Sequence, residues 1–335
     1  MSNISKKART VRFSKIGGPE VLTIETLDIP APGPQEVRIQ VKAIGLNRAD
    51  AMYRQGIYDE FPIFPARLGY EAAGIIEAVG AEVTGVAVGD TVSVLPAFSL
   101  HQYATYGELI VVPAYTLQKH PPSLSFEEAA AVWTSFLTMY GMVANAANVQ
   151  PGQYVVITAA SSSAGLAAIQ VVNYVGGIPI AVTTTGKKRD ALTKAGAAHV
   201  IAADEQDLVS EILRITENKG SDVIVDPVGG PLLTRLIDAA APKSKIYIYG
   251  ALSQQSVVIP AMTLVRKTPA IYGYNATDVL LNPSKLGAAI QFIYEGLAKG
   301  KLKPVIGKTF PFDEIVEATK FLEANTHTGK IIITI

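Results

Sequence analysis

The run YVVITAASSSAGLAAIQVVNYVGGIPIAVTTTGKKR, Tyr154–Arg189, decides the fold. Its first segment, YVVIT, is continuously apolar, as expected of a strand covered on both faces, and it ends in the small residues AASSSAG at Ala159–Gly165. A short helix from about Ala164 follows, and Gly176-Gly177-Ile178-Pro179 breaks the chain before a second strand, IPIAVTTT. The alternation continues outward: a helix across Lys188–Ala195, a strand HVIAA, a helix from Asp207, a strand SDVIVD, a helix from Leu232 and a strand KIYIYG. Leu208, Ile212 and Ile215 fall at i, i+4 and i+7, giving the helix from Asp207 one buried face. Strands alternating with helices in this way predict a doubly wound parallel sheet.

Toward the N-terminus the texture differs. Thr10–Phe13, Leu22–Thr26, EVRIQVKAIGL from Glu36, EAAGIIEAV from Glu71, TVSVL from Thr91 and GELIVV from Gly107 read as strands separated by turns such as PAPGP and VGD, a mostly antiparallel β domain. Ser125-Phe126-Glu127-Glu128 is a capping box opening an apolar helix, and it marks the first domain boundary. After about Tyr272 come a helix near Leu286–Leu297, a helix from Asp313 with Ile315, Ala318 and Leu322 inward, and a final strand KIIITI. This tail is expected to return to the first domain.

At 335 residues the chain has room for about two domains at roughly 150 residues each. Lys and Arg number 29 and so do Asp and Glu, so the zero net charge gives no electrostatic reason to expect nucleic acid or an anionic membrane as partner. The chain has no Cys, which excludes disulfides, thiolate nucleophiles and Cys-bound metals, and no two of its 4 His residues share the i, i+4 spacing of a helical metal site. The start, MSNISKKARTVRFSK, carries charge without an apolar core, so neither a signal peptide nor an anchor is expected and the expected location is cytoplasmic. A stretch of 58 residues, 129–186, lacks any charge, but Pro151-Gly152, Ser161–Ser163 and Gly176–Pro179 cut it into pieces of soluble-domain length.

The AASSSAG turn sits where a dinucleotide-binding fold places its phosphate loop: small residues let the backbone approach a pyrophosphate whose charge the helix N–H groups stabilise. The second strand sharpens this reading. A free ribose calls for a carboxylate about twenty residues beyond the loop, whereas a 2′-phosphate calls for cations. Here Thr183-Thr184-Thr185 is followed by Lys187-Lys188-Arg189, with no acid until Asp190. Three cations at a helix start oppose the helix dipole, so an anionic partner is expected, and NADPH is preferred over NADH.

Several separated motifs carry a resemblance over essentially the whole chain: GGPEVL at Gly17–Leu22, AIGLNRAD at Ala43–Asp50, LGYEAAGIIEAVG at Leu68–Gly80, VGD at Val88–Asp90, DPVGG at Asp226–Gly230 and TGKIIITI at Thr328–Ile335. In order and spacing they resemble the medium-chain dehydrogenase/reductase superfamily, specifically its zinc-independent quinone oxidoreductase branch. The resemblance implies an α/β chain: a GroES-like, mostly antiparallel β catalytic domain (1–128 and 273–335) and a Rossmann NADPH-binding domain with a doubly wound parallel sheet (129–272), with a substrate cleft where they meet. It also implies a homodimer through the Rossmann domain. Where zinc-dependent relatives place metal ligands, this chain has Asn47, Tyr70 and a residue near Thr134, so no metal is expected.

Without a metal, the expected reaction is hydride transfer to an electrophilic small molecule, either a quinone or the β-carbon of an enone or enal. The alternatives are an NADPH-binding protein with little turnover and a metal-free carbonyl reductase. By the family pattern Asn47 lies by the nicotinamide end, Thr138 contacts the nicotinamide amide or ribose, and Ser161, Ser162, Ser163 and Ala164 cradle the pyrophosphate. Lys188, with Thr184 and Arg189, binds the 2′-phosphate, and Gly250–Leu252 and Tyr274-Asn275 flank the nicotinamide half. Tyr53, shortly after Asn47, is the candidate for hydrogen bonding or protonating the substrate carbonyl, and equally a packed aromatic. Asp50 either orients Arg54 or a backbone turn or acts in the chemistry. Phe61, Phe64 and Tyr103 are candidates to shape an apolar acceptor pocket.

Overall fold

The computed structural model describes residues 4–335 and divides into two compact units, Met1–Thr134 with Pro304–Ile335, and Ser135–Lys303. Residues 1–3, at the head of the expected first domain, lie outside the described residues.

In the second unit six strands form one sheet. Their order across the sheet is His199–Ala202, Ile178–Thr183, Tyr154–Ile157, Ser221–Asp226, Ala240–Ile248, Ala270–Gly273, and every pair is parallel. The chain thus winds outward from Tyr154–Ile157 in one direction and then from Ser221–Asp226 in the other. That reversal creates the crevice at the strand C-termini where such sheets bind ligands. Val156, Ile180, Ile201, Ile224 and Ile246 are fully buried among Leu208, Ile212, Leu233 and Leu236 from the helices, so the continuous apolar runs are indeed the strands covered on both faces.

The first unit holds a seven-stranded sheet, Glu36–Gly45 at its centre, and a three-stranded sheet containing Lys6–Phe13. Pairing is antiparallel except between Ile306–Pro311 and Lys330–Thr334. The C-terminal strand returns to the first unit as expected, pairing Ile332 with Gly45 and Ile333 with Ile44. Ile315, Ala318 and Leu322 face inward. Gly45 is required by a close approach, since a Cβ there would lie 2.1 Å from the Ala130 carbonyl oxygen. The capping box is formed, with Glu128 N–H donating to Ser125 Oγ at 3.2 Å and Ser125 N–H to Glu128 Oε2 at 3.0 Å.

Two expected boundaries move. The first unit continues to Thr134 instead of 128, and residues 273–303 belong to the second unit. The physical reason for the latter is the helix Pro283–Ala298. Its Phe292 packs on Tyr140 and Tyr174 at 5.0 and 4.7 Å, and Lys303 beyond it is held by Gln170 through bonds of 2.6 and 3.0 Å. No described helix is long and apolar enough to cross a membrane.

Candidate functional site

In the second unit the strand Tyr154–Ile157 leads through Thr158–Ser162 into the helix Ser163–Tyr174. Ser162 caps that helix, its Oγ accepting from Gly165 N–H at 3.0 Å, which is why a polar small residue stands there. A Cβ on Gly165 would lie 2.6 Å from the Ala159 and Ala160 carbonyl oxygens, so only glycine lets the helix start so close to the strand end. At the neighbouring strand end, Asp226 Oδ2 accepts from Gly229 N–H at 2.7 Å and Oδ1 bonds Thr158 Oγ1, which fixes the DPVGG turn beside the loop. Lys188 extends its ammonium to Ser161 Oγ at 3.0 Å, placing a cation against the small-residue loop, and burial lowers its pKa. A pyrophosphate and a further phosphate therefore fit these residues: a tight, capped helix start with an ammonium beside it.

The remaining predicted nucleotide contacts are placed as follows. Thr184 is exposed at the end of the second strand, Ser163 and Ala164 lie in the first turn of the capped helix, and Thr138 is half-buried on the helix Trp133–Met139. Arg189 is drawn away: its guanidinium donates to Val200 O at 2.6 Å and Gln206 Oε1 at 3.1 Å, satisfying the end of the third strand. Leu252 N–H donates to Pro227 O at 3.0 Å, and a Cβ on Gly250 would lie 2.9 Å from that same oxygen. Asn275 Oδ1 accepts from Thr277 N–H at 3.1 Å. Tyr274 turns its hydroxyl in against Gly141, where a Cβ would lie 1.8 Å from it, so its ring packs within the second unit.

The first unit holds a buried polar cluster that spacing alone did not reveal. Lys330 Nζ lies 2.6 Å from Glu71 Oε2 and 2.6 Å from Asn47 Oδ1, all three side chains being almost fully buried. The Asn47 amide donates to Gly45 O at 3.0 Å and Glu71 Oε2 at 3.4 Å, and Glu71 Oε1 accepts from Thr134 N–H at 3.1 Å. Asn47 thus has partners at both ends of its amide inside this unit. Asp50 accepts from Asn47 N–H and from Tyr106 Oη, each at 2.9 Å, and so holds the backbone turn; Arg54 pairs instead with Glu323 at 2.6 Å. Burial pushes the Asp50 carboxyl up to about 7, against the hydrogen bonds from Tyr106 and Asn47 and the Lys330 charge, which pull it down.

Tyr53 is buried and packed. It is 1% exposed, on the inner side of the helix Arg48–Arg54 with its ring edge-on to Phe13 at 5.9 Å, and it belongs to the hydrophobic core. It also lines a cavity of about 240 Å³ together with Ile63–Arg67, Leu100 and His101. Near this cluster the rings of Tyr58 and Tyr70 lie 6.2 Å apart, and Tyr70 packs on Phe98 at 5.7 Å. Burial, with Asp59 and Asp50 close by, pushes Tyr58 up to about 12. Of the aromatic trio expected around an acceptor, Phe61 is 58% exposed, Phe64 packs on Phe13 and Phe61, and Tyr103 is tied to Glu36 at 2.6 Å.

A family model of the alcohol dehydrogenase GroES-like domain matches residues 33–159, and one described as zinc-binding dehydrogenase matches residues 195–333. A quinone oxidoreductase of Pseudomonas aeruginosa is 30% identical over 97% of this chain and 99% of its own length. The chain belongs to the medium-chain dehydrogenase/reductase superfamily, in its zinc-independent quinone oxidoreductase branch. A human synaptic vesicle membrane protein VAT-1 homolog is also 30% identical, over 91% of this chain and 80% of its own length. The crystal structure of Escherichia coli quinone oxidoreductase complexed with NADPH superimposes with a TM-score of 0.89 at 27% identity, over 98% of this chain and 100% of that one. Zinc does not fit the first unit of this member: the oxygens of Asn47 and Glu71 that could face a metal both hold the Lys330 ammonium, whose charge would repel a dication.

Proposed function

We propose that this protein is an NADPH-dependent, zinc-independent oxidoreductase acting on an electrophilic small molecule, a quinone or an α,β-unsaturated carbonyl compound. The observation that carries the reading is the Lys188 ammonium held against Ser161 beside the capped helix start. Ser161, Ser162, Ser163 and Ala164 hold the pyrophosphate through backbone N–H groups, and Lys188 with Thr184 takes the 2′-phosphate. The bound dinucleotide supplies the hydride. Thr138 and the Gly250–Leu252 turn border its nicotinamide half, with Asn275 fixing the turn beyond. Asn47 acts by position, tying its helix to Lys330 and Glu71.

Tyr58 is protonated at neutral pH, as a phenol ordinarily is, burial only raising it further, and its hydroxyl is the hydrogen-bond donor offered to a substrate carbonyl. Exposed Tyr272, Met262 and Val265 lie on or beside the edge strand Ala270–Gly273, whose outer side suits pairing with a second copy into a homodimer in the cytoplasm. The test is oxidation of NADPH and NADH by chelator-treated protein offered a quinone, an enone and a simple ketone, with product identification. Turnover of quinone or enone with NADPH supports the reading. Binding without turnover overturns it in favour of a dinucleotide-binding protein, and a ketone-only product in favour of a carbonyl reductase.

A further inference from the structure

The cationic turn after the second strand already contains an anion. Gly186 N–H donates to Glu205 Oε1 at 2.8 Å, and Glu205 Oε2 lies 2.9 Å from where a Cβ on Gly186 would stand. Glu205 comes from the turn after the third strand. That turn is fixed against the second strand by Ala203 N–H to Thr183 O at 2.8 Å and Asp204 N–H to Thr184 O at 3.0 Å. The same turn pins Arg189 through Gln206, so one cation of the expected trio faces away from the loop while a carboxylate faces Gly186. The sequence places no acid between Thr183 and Asp190, yet the fold supplies one from nineteen residues further on.

We propose that Glu205 sets the coenzyme preference of this site by narrowing it. The inference rests on the dinucleotide reading above. A 2′-phosphate drawn to Lys188 meets a carboxylate that holds the Gly186 N–H, so binding NADPH brings two anions together or displaces one of them. A ribose 2′-hydroxyl, by contrast, can donate to Glu205 Oε2. The chain therefore binds both coenzymes, with a smaller preference for NADPH than the Lys187-Lys188 pair alone would give.

The test is a titration of the full-length protein with NADPH and with NADH, followed by reduced-nicotinamide fluorescence, for the native chain, Glu205→Gln and Lys188→Ala. Glu205→Gln retains an oxygen to accept from Gly186 N–H, so the turn is kept and only the charge is removed. It is expected to tighten NADPH about tenfold or more and to leave NADH within about threefold, reflecting loss of one like-charge contact. Lys188→Ala is expected to act in the opposite sense, weakening NADPH more than NADH. An unchanged ratio of the two dissociation constants in Glu205→Gln, or weaker NADPH binding, overturns the role of Glu205 while leaving the dinucleotide site standing. Failure of the native chain to bind either coenzyme removes the dinucleotide reading and this inference with it.

Discussion

Replacing Asp50 by Asn changes how the stability of the first unit depends on pH. In the folded chain burial holds the Asp50 carboxyl up at about 7, from an ordinary value of 3.8. Between those values the folded state binds a proton that the unfolded chain has lost, so stability falls as pH rises through the window and levels off above pH 7. A difference of about 3 pKa units at roughly 1.36 kcal/mol each amounts to about 4 kcal/mol in full, of which about 3 kcal/mol develops between pH 5 and pH 8. Asn does not titrate, and its amide oxygen can still accept from Asn47 N–H or Tyr106. The stability of Asp50→Asn relative to the native chain is thus expected to improve by about 3 kcal/mol from pH 5 to pH 8. Any fixed cost of the substitution cancels in that comparison. Urea unfolding followed by the fluorescence of Trp133, the single tryptophan and a buried residue of the first unit, measures it. A difference between the two proteins that stays constant within about 1 kcal/mol over this range would refute the reasoning, because Asp50 would then be ionised in both states.

The Lys330–Glu71 pair is fully buried, so Lys330→Met should cost about 3–5 kcal/mol by stranding the Glu71 charge. The double variant Lys330→Met/Glu71→Gln, which keeps an acceptor for Thr134 N–H, should recover most of that loss in the same unfolding assay; additive losses would show that the charge is not what matters. Tyr58→Phe is expected to lower kcat/KM for a carbonyl-bearing acceptor about a hundredfold with NADPH binding unchanged. Tyr53→Phe, by contrast, should leave turnover within about threefold, since its ring serves the core. Equal losses in the two variants would return Tyr53 to the chemistry.

The parts of this protein that were legible in the sequence are those whose cause is local. Five of the six strands of the parallel sheet hold a short apolar run with its own breakers, the edge strand Ala270–Gly273 having gone unread, and the helix Leu208–Ile215 shows its buried face in its spacing. The Ser162 cap and Gly165 lie within the same few residues as the strand they follow, so the tight strand-to-helix turn could be read although it lacks the usual glycines. Where chain direction decides, local pattern fails. The helix Arg48–Arg54 has only 7 residues, too few for periodicity to say which side Tyr53 takes, and Gly56, with φ at +70°, carries the chain on to Tyr58. The partition of the tail at Pro304 turns on Phe292 and Gln170 contacts that no run of residues displays.

Charge pairing is the least legible layer, because both of its decisive contacts join different elements of the fold. Glu205 reaches Gly186 from the turn after the neighbouring strand, and Lys330 reaches Asn47 from 283 residues away. The second case ties the site to the chain's end. Registration of Ile332 on Gly45 in the last strand carries Lys330 to Glu71, and the strand is itself packed on the alanines that open the helical segment after Ser125. A one-residue slip of that strand would turn Lys330 to the opposite face and leave Glu71 and Asn47 without their cation. Integrity of the polar cluster and docking of the C-terminal strand are therefore one equilibrium. Loosening the strand should release Asp50 and Tyr58 from their fixed surroundings before the parallel sheet of the second unit is disturbed.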